Sequence, residues 1–551
     1  MIDLIITNAR VLTMDADRPR AEAVAMAAGR IAAVGSRAEV EALATAGTRV
    51  VDGGGCSLLP GFHEAHMHLF AGGAELSHLQ LGGVLGEAAL TRVVRHWAAG
   101  ARGPVVLAQA ADHGMLGAEP LGRAVLDRVL ADRPLLLIAQ DHHTAWANTA
   151  ALTAAGLLRG MATPAGTEVV IGPDGLASGE LRESAAFGPI LDLAGATRPR
   201  LGLDTGEEPS PPSTTGERKQ DKAILRAGLA HVARYGITSI TNMDGNLYTL
   251  ELLAEIEVEG GLTARVKVPF HFKNHMEPAR LETATLMAQR WRGDFLSSGF
   301  VKLFMDGVID SRTSVMIHDY ADAPGWRGES LFDPARFVAL AVEIDRRGLQ
   351  MAVHATGDGA VRCVLDGYAA AAQANGRRDS RHRIEHVELI DRADIRRFAE
   401  LGVVASMQPP HPPGAMDFPL EPTLTRIGRA RWRDFYATKT LMEAGARLAF
   451  ASDWPISDIN PLRGIQAALT RQAWGPEGPD QRLGLIAALQ AYTSGGAYAE
   501  HSDNCKGRIK PGYFGDLVLL SGDIEATAPG EIAGLKVVWT LCDGRMVYDA
   551  R

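Results

Sequence analysis

Apolar and polar positions alternate in three different ways along the chain. Residues 2 to 52 carry short apolar runs, Leu4-Ile-Ile, Val11-Leu-Thr-Met, Ala23-Val-Ala-Met and Arg30-Ile-Ala-Ala-Val, broken by turn-rich pieces such as Asp15-Ala-Asp17 and Ala28-Gly29. Runs of this length between such breaks predict short strands of a small β unit. The C-terminal end repeats the pattern in Asp516-Leu-Val-Leu-Leu, Val537-Val-Trp-Thr-Leu and Arg545-Met-Val-Tyr, and Asp543-Gly544 between the last two is a hairpin turn signal. The two ends, residues 1–59 and 505–551, are therefore expected to build one β-sandwich domain.

From the middle onward, strand-length apolar runs alternate with amphipathic helical stretches, which predicts βα units on a parallel sheet. After Asp333-Pro334, residues Phe337, Leu340, Ala341 and Ile344 fall at i, i+3, i+4 and i+7, giving one buried stripe that Gly348 stops. Eight strand-like runs end near His68, Asp244, His271, Asp306, Asp358, His386, Gln408 and Asp453. Eight is the number of a (β/α)8 TIM barrel, an α/β fold that gathers functional groups at the C-terminal ends of its strands. Its first strand falls in 60–84 and its remainder in 221–504. An open doubly wound sheet is the alternative, but no glycine fingerprint opens an early helix. Residues 85–220 carry strands of their own at Val105-Val-Leu-Ala and Leu135-Leu-Leu-Ile and are too long for a loop, which predicts an inserted substrate or lid subdomain. Within it, 194–219 is rich in Gly, Pro, Ser and Thr and reads as a solvated, mobile linker.

Composition narrows the partners. The chain is 46% hydrophobic and 22% charged, as in soluble globular enzymes. A formal charge of −9 without any basic block argues against a nucleic-acid partner, which would need clustered Lys and Arg. Cys56, Cys363, Cys505 and Cys542 are far apart and form no CxxC pair, which suits a reducing compartment. Neither a signal peptide nor a run of roughly 20 apolar residues is present, so the expectation is a cytoplasmic protein, off the membrane, with a small-molecule substrate and the homodimer as default assembly.

Candidate chemistry begins at Pro60-Gly-Phe-His-Glu-Ala-His66-Met-His68. On an extended backbone His66 and His68 share a face, while His63 has the opposite parity and is not counted as a ligand. Alone, the pair stands evenly between a metal motif and a packed polar pair. Lys302 lies in Phe300-Val-Lys-Leu-Phe-Met-Asp306, otherwise a buried strand. A buried ammonium is costly, so either Lys302 reaches a carboxylate such as Asp306 or its amine has become a metal-bridging carbamate. His354 and His386 occupy matching places on successive strands. Asp453 ends an apolar run and is either a ligand or the cap of the next helix. Together, four imidazoles, a lysine and a carboxylate can hold two divalent ions that activate water for hydrolysis.

Several motifs then act jointly: PGFHEAHMH at 60–68, DHHTAWAN at 141–148, VKLFMDG at 301–307, HATGDGA at 354–360, RIEHVEL at 383–389, SMQPPH at 406–411, ASDWP at 451–455 and KGRIKPGYFGDLVLL at 506–520. With these the chain resembles the amidohydrolase superfamily over nearly its whole length, specifically amidohydrolase family 3, which includes N-substituted formamide deformylases. The resemblance implies His66 and His68 on one metal, Lys302 as a bridging carbamate, His354 and His386 on a second metal, and Asp453 as ligand and proton carrier. Two zinc ions are the expected cofactors. It further implies hydrolysis of a non-peptide carbon–nitrogen bond in an amide, N-substituted formamide or cyclic amide. The alternatives are hydrolytic deamination of a ring amidine and a catalytically silent binding relative. Where the family has an aliphatic residue and Asp, this chain has His63 and Glu64, which puts the surroundings of the ligands in question. Substrate contacts are expected from His143, Trp146 and Asn148 in the insert, Asp310 and Arg312 after the fourth strand, and Gln408 and His411 after the seventh. Each has a plain structural alternative. Met416 and Phe418 nearby point to an uncharged or aromatic ligand.

Overall fold

In the computed structural model, which describes every residue except 118, 140, 141, 143, 164–166 and 477, the central apolar runs are short strands. They are β1 (Phe62–Met67), β2 (Ile237–Asn242), β3 (Arg265–Lys267), β4 (Phe270–His271), β5 (Phe300–Phe304), β6 (Gln350–Ala355), β7 (Arg383–His386), β8 (Val404–Met407) and β9 (Arg447–Phe450). One ladder runs Leu296–Ser297, β3, β2, β1, and a second runs β4 to β9 in chain order. Every pairing in both is parallel. Val268 and Pro269 separate β3 from β4, and a proline has no N–H to carry a ladder onward. At the opposite edges, Asp453 N–H donates to the His66 carbonyl at 3.0 Å and His68 N–H to the Trp454 carbonyl at 2.8 Å. The expected barrel is thus two parallel sheets rather than one closed ladder, and the fold is mixed α/β.

Local signals set the elements around these strands. Helix α1 (Pro334–Arg346) starts where Asp333 accepts the Arg336 N–H, with proline in its first turn, and it buries Phe337, Leu340, Ala341 and Ile344. Phe337, Leu340 and Ile344 each contribute about 1.5–3 kcal/mol of burial. The chain ends meet in a six-stranded sheet ordered Arg545–Asp549, Val537–Cys542, Leu517–Leu520, Ser57–Pro60, Arg10–Leu12 and Arg20–Ala21. Asp543 and Gly544 turn its hairpin with φ of 55° and 71°, the left-handed pair that a type I′ turn requires. Ile6, Val24 and Met26 from a neighbouring four-stranded sheet join Leu58, Leu517 and Trp539 in one core.

The chain folds as two compact units, residues 1–69 with 205–208 and 226–551, and residues 70–204 with 209–225. The second has its own six-stranded sheet. Alternate residues of its strands serve two cores. Val106, Ala108, Leu135 and Leu137 pack with Leu90, Val94 and Leu126, whereas Leu107, Leu136 and Ile138 pack with Leu152, Phe187 and Ile190. Burial on both faces explains why these strands are apolar without alternation. The linker expected at 194–219 is corrected. Arg198–Arg200 and Leu201–Asp204 are helical, and α2 (Thr215–Ala233) begins inside the segment. Ion pairs of Arg198 with Asp221 and Glu217, and the reciprocal hydrogen bonds of Thr214 and Glu217, order a stretch whose composition suggested none. No helix among the described residues is long and apolar enough to cross a membrane.

Candidate metal centre

Three ligand-type atoms converge where β1 and β9 end. His66 Nε2 and His68 Nε2 each lie 3.2 Å from Asp453 Oδ1, and all three residues are buried. Neither contact follows a hydrogen-bond direction, and Asp453 Oδ1 has no hydrogen-bond partner among the described residues. Donor atoms roughly 3.3 Å apart are what a tetrahedral cation with bonds of about 2 Å needs. Asp453 reaches this point through a left-handed backbone, φ 61°, a conformation that costs about 1–3 kcal/mol outside glycine. The turn is tied down by Glu64. Its Oε1 accepts the Ser452 N–H at 2.6 Å and the Ser452 hydroxyl at 3.1 Å, and that hydroxyl accepts the Trp454 N–H at 3.0 Å. Burial pushes the Glu64 pKa up to about 8, and nearby Asp453 adds to the shift. Glu64, the departure noted in the sequence, therefore works on the turn that presents Asp453.

The imidazoles are oriented from behind. His66 Nδ1–H donates to Glu385 Oε2 at 2.7 Å, which leaves Nε2 with its lone pair toward Asp453. Glu385 in turn accepts from Arg383 at 2.8 and 3.0 Å, and Arg383 also donates to the Ala65 carbonyl and to Ser406. Burial alone would raise the Glu385 pKa, but Arg383 and His66 bring it down to about 2. Burial likewise opposes charge on Asp453, whereas His66, His68 and His386 hold its carboxyl well below the usual range only when their rings are protonated. His354 Nε2–H donates to the Gly307 carbonyl at 2.8 Å, so Nδ1 is free to ligate, and burial with Lys302 nearby takes its pKa to about 3. His386 has φ 77° and places Nδ1 2.9 Å from Gln408 Oε1. The rings of His66 and His354 lie 4.8 and 4.5 Å from that of His386.

Lys302 is fully buried on β5, and its Nζ has no hydrogen-bond partner among the described residues. Burial pushes its pKa down to about 8. The ion pair with Asp306 is not made. Asp306 is taken up by the backbone N–H groups of Val315, Thr356 and Gly357 at 3.0, 3.1 and 2.9 Å, an arrangement that no side-chain pattern announces. His63 engages Glu500 at 3.1 Å and Thr241 at 3.2 Å through Nε2.

Of the expected substrate contacts, His143 lies outside the described residues. Trp146 is 3% exposed in one core of the second unit, with the His113 ring edge-on at 4.9 Å. Asn148 spends its whole amide on backbone. Oδ1 accepts from Leu135 and Ala151, and Nδ2 donates to Leu130 and Arg133. Changing Asn148 to Ala is expected to destabilise the protein by on the order of 3 kcal/mol in denaturant unfolding, because several buried backbone groups lose partners together; a loss below the error of the measurement would contradict this structural role. Arg312 forks onto Asp322 at 3.2 and 2.6 Å, and Asp310 accepts the Thr423 hydroxyl. Gln408 and His411 do approach the ligand cluster. Gln408 Nε2 is buried with no hydrogen-bond partner among the described residues, and His411 Nε2 lies 3.3 Å from the Ser452 carbonyl.

The chain is 29% identical to the protein LONG AFTER FAR-RED 3 of Arabidopsis thaliana, over 99% of its own length and 91% of that protein. It is 27% identical to the N-substituted formamide deformylase of Arthrobacter pascens, over 100% and 99%. A solved metal-dependent hydrolase of Pyrococcus horikoshii shares its fold with a TM-score of 0.75 at 23% identity, covering 96% of this chain and 99% of that one. The model of the amidohydrolase family matches residues 49–548. Covering nearly all of the chain and every element of the centre, that match shows that the protein belongs to the amidohydrolase family and is a hydrolase.

Proposed function

We propose that this protein is a metal-dependent hydrolase of a non-peptide carbon–nitrogen bond in a small molecule, an amide, N-substituted formamide or cyclic amide. The two parallel sheets are then parts of one (β/α)8 barrel. The convergence of His66, His68 and Asp453 Oδ1 without a hydrogen bond carries the reading, and whole-length similarity to a deformylase supports it. Two imidazoles and a carboxylate suit zinc. Lys302, His354 and His386 line the position of a second cation, and a carbamate on Lys302 would bridge the two. A pKa of about 8 fits that chemistry, since only the neutral amine adds carbon dioxide.

When bound, such a cation supplies Lewis acidity, lowering the pKa of water and polarising a carbonyl. The protein's own groups supply the rest. Asp453, ionised at neutral pH, takes a proton from water as the C–O bond forms, and delivers it to the departing nitrogen as the C–N bond breaks. Gln408 Nε2 offers a hydrogen bond to the substrate. Glu385 keeps the proton on His66 Nδ1 throughout.

Removing metal with a chelator is expected to abolish hydrolysis of an N-substituted formamide, and adding zinc back to restore it. Full activity in protein shown by elemental analysis to be metal-free would sink the proposal.

A further inference from the structure

Between β8 and β9 the chain makes a short helical turn, Arg429–Asp434, that brings Arg429, Arg431, Trp432 and Arg433 together. Arg431 serves the fold, its guanidinium donating to the carbonyls of Ile427, His318 and Asp319. Arg429 and Arg433 stand exposed at a cavity of about 480 Å³ that Trp432, Arg471, Trp474 and Gly475 also line. That volume suits a small ligand. Arg471 caps the end of helix Pro461–Thr470 and donates to the Tyr436 and Phe435 carbonyls at 2.6 and 3.0 Å, with its guanidinium 4.5 Å from the centre of the Trp474 ring. Its charge meets no carboxylate: burial pushes its pKa down to about 10, and only Tyr436 opposes the shift. Asp434 and Asp480, the acids close by in sequence, pair instead with Arg392 and Arg482, both at 2.9 Å. The indole N–H groups are taken up as well, Trp432 by the Leu424 carbonyl at 3.0 Å and Trp474 by the Pro413 carbonyl at 2.8 Å. What they have left for the cavity is ring surface. Gly475 keeps the space open, since a Cβ there would already touch the Trp432 ring at 3.8 Å.

We propose that this cavity binds an aromatic anion, its ring against Trp432 and Trp474 and its carboxylate or phosphate on Arg471, Arg429 and Arg433. A partly buried guanidinium without a counter-charge is costly, and an anion that reaches it relieves the cost. The planar fork of arginine matches carboxylate and phosphate alike. Indole faces add contact area for a flat ring, which an inorganic ion cannot use. None of the lining residues belongs to the metal centre, so the site is separate from the hydrolytic one.

The test is isothermal titration calorimetry of the zinc-loaded and the chelator-stripped protein with benzoate, phenyl phosphate, benzyl alcohol and inorganic phosphate. Benzoate, phenyl phosphate or both are expected to bind once per chain with Kd below ~1 mM, equally with and without zinc, and the other two probes at least about tenfold more weakly. The tighter of the two aromatic anions identifies the charged group. Gly475→Phe fills the cavity at a position whose backbone is not left-handed, and is expected to abolish binding while circular dichroism stays unchanged. Arg429→Gln with Arg433→Gln, both exposed, is expected to weaken it about tenfold. Binding that survives Gly475→Phe, requires zinc, or is as tight for benzyl alcohol would overturn the proposal, as would no binding of either aromatic anion. Where Gly475→Phe does not fold, the arginine double variant decides, and an affinity within about twofold of wild type sinks the proposal.

Discussion

Changing Asp453 to Asn is expected to lower kcat/KM by roughly 10³- to 10⁴-fold on any amide the protein hydrolyses, with the fold retained, because one change removes both a ligand and the proton carrier. Asn fills nearly the same volume, and the backbone contacts that fix the turn, Asp453 N–H to the His66 carbonyl and Ser452 to Glu64, do not use the Asp453 carboxylate. The chemistry changes instead. An amide cannot take the proton of water at neutral pH, and its NH₂ end can donate to the Nε2 atoms of His66 and His68, closing the place where a cation would sit. Asp453 has a depressed pKa, so its charge is present throughout the neutral range and the loss should not vary with pH there. Steady-state rates at saturating zinc, beside circular dichroism, measure the effect. Activity within tenfold of wild type in a folded variant would remove the assigned role.

The sequence is most legible where the cause is local. The stripe of α1 needs only its own spacing and Asp333, and the shared oxygen of His66 and His68 follows from alternation along one strand. What the sequence hides depends on partners far along the chain or on unusual backbone. Asp453 faces the histidines because of a left-handed φ and a bond from Ser452 to Glu64, 388 residues away. Asn148 and Trp146 are residue types that bind ligands as readily as they build cores, and only their neighbours reveal which they do. The break at Pro269 turns an expected closed ladder into two sheets. Arg383 and Glu385 carry no sequence-based role although both stand in the RIEHVEL motif. A charged pair two residues apart in a buried strand is itself a signal, since neither charge is tolerated inside without a partner. Its purpose was unreadable, because His66 lies 319 residues from Glu385.

That pair carries the largest stability effect expected. Changing Glu385 to Gln leaves the Arg383 guanidinium, 1% exposed, without its counter-charge, and breaking one side of such a buried pair costs about 3–5 kcal/mol. The depressed carboxyl of Glu385 points to a similar magnitude. The folded pKa of Glu385 is depressed from 4.5 to about 2, so its stabilisation is fully present above the unfolded value and is lost as pH falls through that window; a shift of this size corresponds to roughly 3 kcal/mol. Wild type should therefore lose stability between about pH 4.5 and 2 more steeply than the Gln variant. The variant also frees the tautomer of His66, which should weaken zinc binding by about 10- to 100-fold. Adding Arg383→Met to Glu385→Gln separates the two effects. Removing the stranded charge should recover part of the stability but none of the zinc affinity, because His66 still lacks an ionised acceptor. Denaturant unfolding of the metal-free proteins and zinc titration of the folded ones read these outcomes independently. If the double variant regained wild-type zinc affinity, orientation of His66 by Glu385 would be refuted, and the network would be a purely structural ion pair.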